Sequence, residues 1–389
     1  MLDDGWFGER SDDNRGLGDW TVNCEKLPGG LDPLIERIHG LGMKFGLWIE
    51  PEMVNEDSDL YRAHPDWALT LPGRSPAMGR NQLVLDLSRP EVVDHLTEVL
   101  SRLLREHQIE YIKWDMNRSM SDVFSRALPP QHQGEVMYRY MLGVYRLAER
   151  LTQGFPEVLF EGCAGGGGRF DAGMLCYFPQ IWCSDDTDAI ERLTIQHGTS
   201  FGYPVCTMGA HVSACPNHQT GRTTPIDTRA VVAMSGTFGY ELDLGRLSRS
   251  ECAAVKRQIK RFQKWSELIR TGDYFRLSDP TSDRYFTAWQ FTAPDRSEAL
   301  LNLVVTHPQS NALPIHVCFR GLEDNAIYQI DALHYFGAQN VHDGGSAAGE
   351  GLHTGMRFSG SMLRYAGLTL PQLFGDFPSV QIHLTRKEK

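Results

Sequence analysis

Ile112-Lys113-Trp114-Asp115 ends an apolar run on a carboxylate, with a lysine two residues before it. Alternation along a strand puts Lys113 and Asp115 on one face. A cation there favours the ionised carboxylate that a nucleophile requires, although a strand-end salt bridge would leave the same trace. Trp182-Cys183-Ser184-Asp185-Asp186-Thr187-Asp188 holds Asp185, Asp186 and Asp188 close together as one apolar run gives way to a helical pattern. Asp188 reads as the helix N-cap, with Glu191 three residues on completing a capping pattern. Capping does not account for Asp185 and Asp186. Crowded carboxylates raise one another's pKa, which suits a general acid that must keep its proton near neutrality. Two carboxylates from two strand ends across a barrel mouth are the parts of a glycoside hydrolase.

Four further segments bear on a site. Asp3-Asp4-Gly5-Trp6 offers paired acids as acceptors for sugar hydroxyls, but Asp-Gly is also a turn signal, and oxygen ligands suit calcium or magnesium. Trp48, in Leu47-Trp48-Ile49-Glu50-Pro51-Glu52, is either a core residue or a platform for the apolar face of a pyranose. Arg80, after Met78-Gly79, sits in a loop with several donors to offer. Glu161-Gly162-Cys163-Ala164-Gly165-Gly166-Gly167-Gly168-Arg169 lets a backbone approach a ligand closely. It lacks the lysine and hydroxyl of a phosphate loop, so it does not read as a nucleotide site. Cys163 reads as a small buried residue rather than a nucleophile.

The elements that position these residues alternate. Strand candidates 44–50, 109–115, 158–161 and 180–184 are separated by helical stretches 31–41, 90–108, 134–152 and 188–201. Shorter strands at 211–213 and 238–244 and a helix over 248–269 follow. With the fragment at 2–6 this makes about seven β/α units, where a closed barrel needs about eight. Polar residues gather just after the strands, where barrel active sites lie. Beyond about residue 273 helical period gives way to short alternating runs, such as 286–291, 299–305, 315–319 and 326–331, the pattern of an antiparallel β-sandwich. The glycine-rich stretch 344–351 reads as a flexible loop.

A net charge of −11 argues against a nucleic-acid partner. No apolar run is long enough to cross a bilayer, and the N-terminus lacks the features of a signal peptide. Eight cysteines (Cys24, Cys163, Cys176, Cys183, Cys206, Cys215, Cys252 and Cys318) are scattered singly with no C-x-x-C pair. Reduced thiols in the cytoplasm are the expectation.

Taken together, segments 2–8, 48–54, 113–118, 161–171 and 182–193 resemble, in order and spacing, the signature segments of glycoside hydrolase family 36 α-galactosidases. The similarity continues through 195–204, 209–217 and 238–244. It implies an α/β fold: a (β/α)8 TIM barrel lacking its first β/α unit over residues 1–272, then a C-terminal antiparallel β-sandwich over 273–389. The 2–6 segment would be the end of the second barrel strand. The resemblance further implies a retaining α-galactosidase acting on terminal α-galactosides of the melibiose or raffinose type. Asp115 would be its nucleophile and Asp185 its acid/base. Asp3 and Asp4 would hold the 4- and 6-hydroxyls of galactose, Trp48 would wall the pocket, and Arg80, Lys113, Cys163 and Gly166 would line it. No metal or organic cofactor is implied. The partner is a small-molecule α-galactoside, with neither nucleic acid nor membrane, and a homo-oligomer is expected for a full-length parent. Two departures stand out: Gly165 replaces a serine found in many members, and Asp186 replaces an asparagine. A galactosyl transferase on the same scaffold and a non-catalytic galactoside-binding remnant are the alternatives, with a metal-dependent hydrolase as a third.

Overall fold

The computed structural model describes residues 1–283, 285–310, 313–337 and 351–388, with the backbone alone at 341–342. Its contacts group the chain into two units, divided after Asp185.

In the first unit, helices and parallel strands alternate: α1 (Asp32–Gly40), β1 (Gly46–Ile49), a small pair β2 (Met53–Val54) and β3 (Leu83–Val84) flanking α2 (Asp59–Ala63), α3 (Pro90–Glu106), β4 (Tyr111–Trp114), α4 (Val136–Gly154), β5 (Leu159–Gly162), α5 (Ala172–Leu175) and β6 (Gln180–Trp182). The principal strands lie in the order β1-β4-β5-β6, all parallel. β1 is buried along its whole length, as expected of a parallel strand covered on both faces. Helix α3 starts at Pro90, where a missing N–H costs nothing, and buries Val92, Val93, Leu96, Leu100 and Leu103 along one stripe. The same spacing on α4 buries Val136, Tyr140, Val144, Leu147 and Leu151. Leu2 lies beside β1 as a single parallel bridge: its N–H donates to Gly46 at 2.8 Å and its carbonyl accepts from Trp48 at 2.9 Å. The strand tail expected at 2–6 is therefore present as one paired residue.

The second unit opens on α6 (Ala189–Thr199), followed by β7 (Met208–Ser213), α7 (Ile226–Ala233), β8 (Thr237–Glu241) and α8 (Arg249–Thr271). β7 and β8 pair in parallel, so with Leu2 the two units supply the seven parallel stretches expected. α8 has a full capping box between Ser248 and Glu251. At α6, Asp188 is the N-cap and accepts from the Ile190 N–H. The expected partnership with Glu191 is replaced, because Glu191 instead pairs with Arg222 at 3.0 Å, and Arg222 also holds Asp188 at 2.7 Å. A two-carboxylate grip on one guanidinium is the stronger use of that side chain.

The remainder is antiparallel, as the alternating runs predict. Strands β9 (Asp273–Arg276), β10 (Phe286–Thr292), β11 (Glu298–Val305), β12 (His316–Val317), β13 (Ile327–Phe336), β14 (Val341–His342), β15 (Arg357–Ser359), β16 (Leu368–Thr369), β17 (Gln372–Leu373) and β18 (Ser379–Lys387) follow in turn. Six form one sheet in the order β15-β13-β18-β11-β10-β9, while β12 pairs with β16 and β14 with β17. Leu301, Leu303, Val380, Ile382 and Leu384 from the large sheet share a core with Val317, Leu368, Leu370 and Leu373. The run at 315–319 yields only the two residues of β12. The stretch 344–351 lies, Gly351 excepted, outside the described residues.

α7 and α8 pack on this sheet. The Thr228 hydroxyl donates to the Phe377 carbonyl at 2.7 Å, and the Arg261 guanidinium lies 4.4 Å from the Phe336 ring. Hence the contacts group residues 186–272 with the C-terminal sheet. Among the described residues no helix is long and apolar enough to cross a membrane, and none of the eight cysteines is in a disulfide.

Candidate active site

The registers of the first unit bring its polar residues to one level. Ile49 pairs with Trp114, Trp114 with Gly162, and Gly162 with Ile181. The next residue on each strand is Glu50, Asp115, Cys163 and Trp182. Two residues earlier, Trp48 pairs with Lys113 and Lys113 with Glu161, and the strand period of two puts these on the same face. A run of ordinary β/α units therefore presents carboxylates, a lysine, a thiol and two indoles together, at the carboxyl ends of its strands.

Asp115 is buried, at 5% exposure, and both its oxygens are occupied. Oδ1 accepts the Met116 backbone N–H at 2.8 Å. Oδ2 accepts Asn117 Nδ2 at 2.6 Å and Trp48 Nε1 at 3.2 Å. Its own N–H donates to the Ile49 carbonyl at 2.8 Å, which ties the strand end down. The Cys163 thiol also hydrogen-bonds Asp115; burial, and next the nearby Asp115 charge, hold it far above the usual thiol range. Cys163 is thus a protonated donor, buried as the sequence suggests. Buried Lys113 has its Nζ 5.5 Å from the Trp182 ring centre, and its charge reaches Cys163.

Asp185 is exposed, and its Oδ1 accepts Trp182 Nε1 at 3.0 Å. The glycine loop runs between the two acids. Gly166 has φ +82°, and a Cβ there would lie 2.8 Å from Asp185 N and 3.1 Å from Ser184 Cα. The loop's glycines therefore allow the 183–185 backbone to come close, a packing role beside the ligand approach expected from the sequence.

The other expected residues have the following surroundings. Asp4 is exposed and clasped by Arg10, through Nε at 3.0 Å and Nη2 at 2.9 Å. Asp3 accepts the Asp4 N–H at 2.9 Å, and its charge is felt by Tyr111. Trp48 is buried against Phe7, stacked with ring centres 6.3 Å apart and planes nearly parallel, and its N–H reaches Asp115. Arg80 is exposed, at φ +52°, and its charge reaches Glu50.

Three residues escaped the sequence reading. Glu50 is fully buried beside Asp115; Asn117 orients Asp115; and Glu52, also fully buried, is gripped by Arg169 through two bonds of 2.8 Å, by Trp114 Nε1 at 2.9 Å and by Tyr140. The available signal was the pair of acids in 47–52, where charge interrupts an apolar run.

Residues 1–272 match the family model for Melibiase, and residues 286–384 that for the glycosyl hydrolase family 36 C-terminal domain. The bifunctional α-galactosidase/sucrose kinase AgaSK of Mediterraneibacter gnavus is 49% identical over 99% of this chain and 38% of its own length. The α-galactosidase AgaA of Geobacillus stearothermophilus is 48% identical over 99% of this chain and 50% of its own length. The chain thus spans half or less of the length of these two relatives. The crystal structure of AgaA superposes with a TM-score of 0.91 over 99% of this chain and 51% of that one. Variants of AgaA have been crystallised with raffinose and with stachyose.

Proposed function

Because the chain belongs to the melibiase family, with the C-terminal domain of glycoside hydrolase family 36, we propose that it is a retaining α-galactosidase with Asp115 as nucleophile and Asp185 as acid/base. The substrates are terminal α-galactosides of the melibiose and raffinose type. In the first step a carboxylate oxygen of Asp115 attacks the anomeric carbon as the glycosidic bond breaks, and Asp185 gives its proton to the departing oxygen. A β-galactosyl ester on Asp115 results. Asp185, now a carboxylate, takes a proton from water, which displaces Asp115 and releases α-galactose.

One observation carries the reading: the two acids differ in surroundings as their two tasks differ. Asp115 is buried, with both oxygens fixed by donors, as suits a group whose attack must be aimed. Asp185 is exposed and in reach of water, as suits a group that exchanges protons with leaving group and solvent. Lys113, Cys163 and Gly166 surround these acids and are assigned to the pocket. Arg80 is assigned to the same lining, Trp48 to the pocket wall, where its N–H also holds the nucleophile, and Asp3 and Asp4 to the 4- and 6-hydroxyls of galactose. The names of the relatives are those of α-galactosidases, which favours hydrolysis over galactosyl transfer. We assign residues 1–272 to the catalytic barrel and 273–389 to the β-sandwich, a division the two family matches support. A cytoplasmic location fits the lack of disulfides.

The test is proton NMR of melibiose hydrolysis together with Asp115→Ala. Retention releases α-galactose first, and azide restores turnover to the variant as β-galactosyl azide. Initial release of β-galactose would exclude the double displacement, and an active Asp115→Ala enzyme without azide would remove the nucleophile.

A further inference from the structure

Glu50 stands one residue beyond β1 and is fully buried. Its oxygens are held by amides rather than by a cation: Oε1 by the backbone N–H of Asn117, Oε2 by Gln82 Nε2 at 3.0 Å. Asn117 in turn donates its side-chain Nδ2 to Asp115 Oδ2 at 2.6 Å. A continuous path therefore runs from the Glu50 carboxyl through one residue to the attacking carboxylate. From this geometry we infer that Glu50 is a positioning residue for Asp115, fixing the turn at Asn117 and so the aim of the nucleophile. The inference rests on the glycosidase reading above.

A carboxyl at this place needs a reason, because burying one costs free energy that an apolar side chain would not incur. Its surroundings keep it uncharged near neutrality. Burial, and next the negative charge of Asp115, push Glu50 up to about 8, against the opposing pull of the Asn117 bonds and the Arg80 charge. A neutral Glu50 holds Asn117 without setting a second negative charge beside the nucleophile. Its proton then needs an acceptor. Gln82 Oε1 is buried with no hydrogen-bond partner, and amide oxygen and nitrogen exchange places by a half-turn of the side chain. Turned that way, Gln82 accepts the Glu50 proton in an acid–amide pair.

The experiment measures kcat and KM of wild type, Glu50→Ala and Glu50→Gln on an aryl α-galactoside from pH 5 to 9, with circular dichroism to count folded enzyme. Glu50→Ala is expected to lower kcat about 100-fold, the cost of a misaimed reacting group, while KM stays within about twofold. Glu50→Gln, neutral at every pH, should keep most of kcat and lose a decline that wild type shows above pH 8. A wild-type chain without activity would overturn the glycosidase reading and this inference with it. An active wild type whose Glu50→Ala variant keeps kcat per folded molecule would overturn the inference alone. If Glu50→Ala does not fold, the Gln variant decides: an alkaline limb identical to wild type counts against Glu50.

Discussion

Replacing Gly166 by alanine tests the claim that the glycine loop exists to let two backbones meet. The added Cβ would lie 2.8 Å from Asp185 N and 3.1 Å from Ser184 Cα. Both are backbone atoms, so no side chain can swing aside. In addition, φ +82° costs an L-residue about 1–2 kcal/mol, and overpacking a fixed contact costs about 1–3 kcal/mol. If the loop holds, stability falls by about 2–5 kcal/mol. If it yields, ordinary contact at 3.4 Å returns only after the 184–185 backbone moves by about 0.6 Å. A displacement approaching 1 Å at a reacting group costs up to about 100-fold in rate. Gly165→Ala is the control, because it too has positive φ, at +53°, yet a Cβ there meets nothing within 4 Å. Thermal unfolding and kcat/KM on melibiose and on a nitrophenyl α-galactoside would be compared for both variants. Gly166→Ala should be less stable than Gly165→Ala or slower on melibiose, whose leaving group needs the proton of Asp185. Equal stability and equal melibiose turnover in the two variants would refute the reasoning.

Asp185→Ala should cut melibiose turnover by about 100- to 10,000-fold, the usual worth of a general acid, yet spare the glycosylation step for a nitrophenyl leaving group, as a pre-steady-state burst would show. Arg169→Met leaves the fully buried Glu52 with only Trp114 and Tyr140 as donors; breaking one side of such a pair costs about 3–5 kcal/mol and should lower Tm by roughly 10 °C. Glu50 also sets a stability slope. Its pKa rises on folding to about 8, so the native state keeps a proton that the unfolded chain releases. Its contribution is fully present below the ordinary glutamate range and lost as pH rises through about 8. Calorimetry should therefore show a fall in Tm between pH 5 and 8 that Glu50→Gln reduces; an unchanged slope would mean that Glu50 is already ionised.

The local signals in the chain were readable because they repeat at short range. Apolar stripes at helical spacing gave α3 and α4 to within two residues, and the polar ends of apolar runs marked Asp115 and Asp185. α7 was not seen: Thr228, Arg229, Ala230, Val231, Val232 and Ala233 are all buried, so no contrast between faces reveals its period. The grip of Arg169 on Glu52 was equally hidden, since the partners lie 117 positions apart and each reads by itself as an ordinary surface charge.

By itself the sequence determined which residues end strands and which begin helices, because those choices depend on spacing, caps and turn residues within a few positions. Which side chain faces which was decided by the tertiary structure alone. Strand register put Glu50, Asp115, Cys163 and Trp182 at one level, and Gly166 was required by a backbone that folds against it. Such pairings arise from packing between distant segments, and burial then turns an acid like Glu50 from a solvated charge into a neutral hydrogen-bonding group.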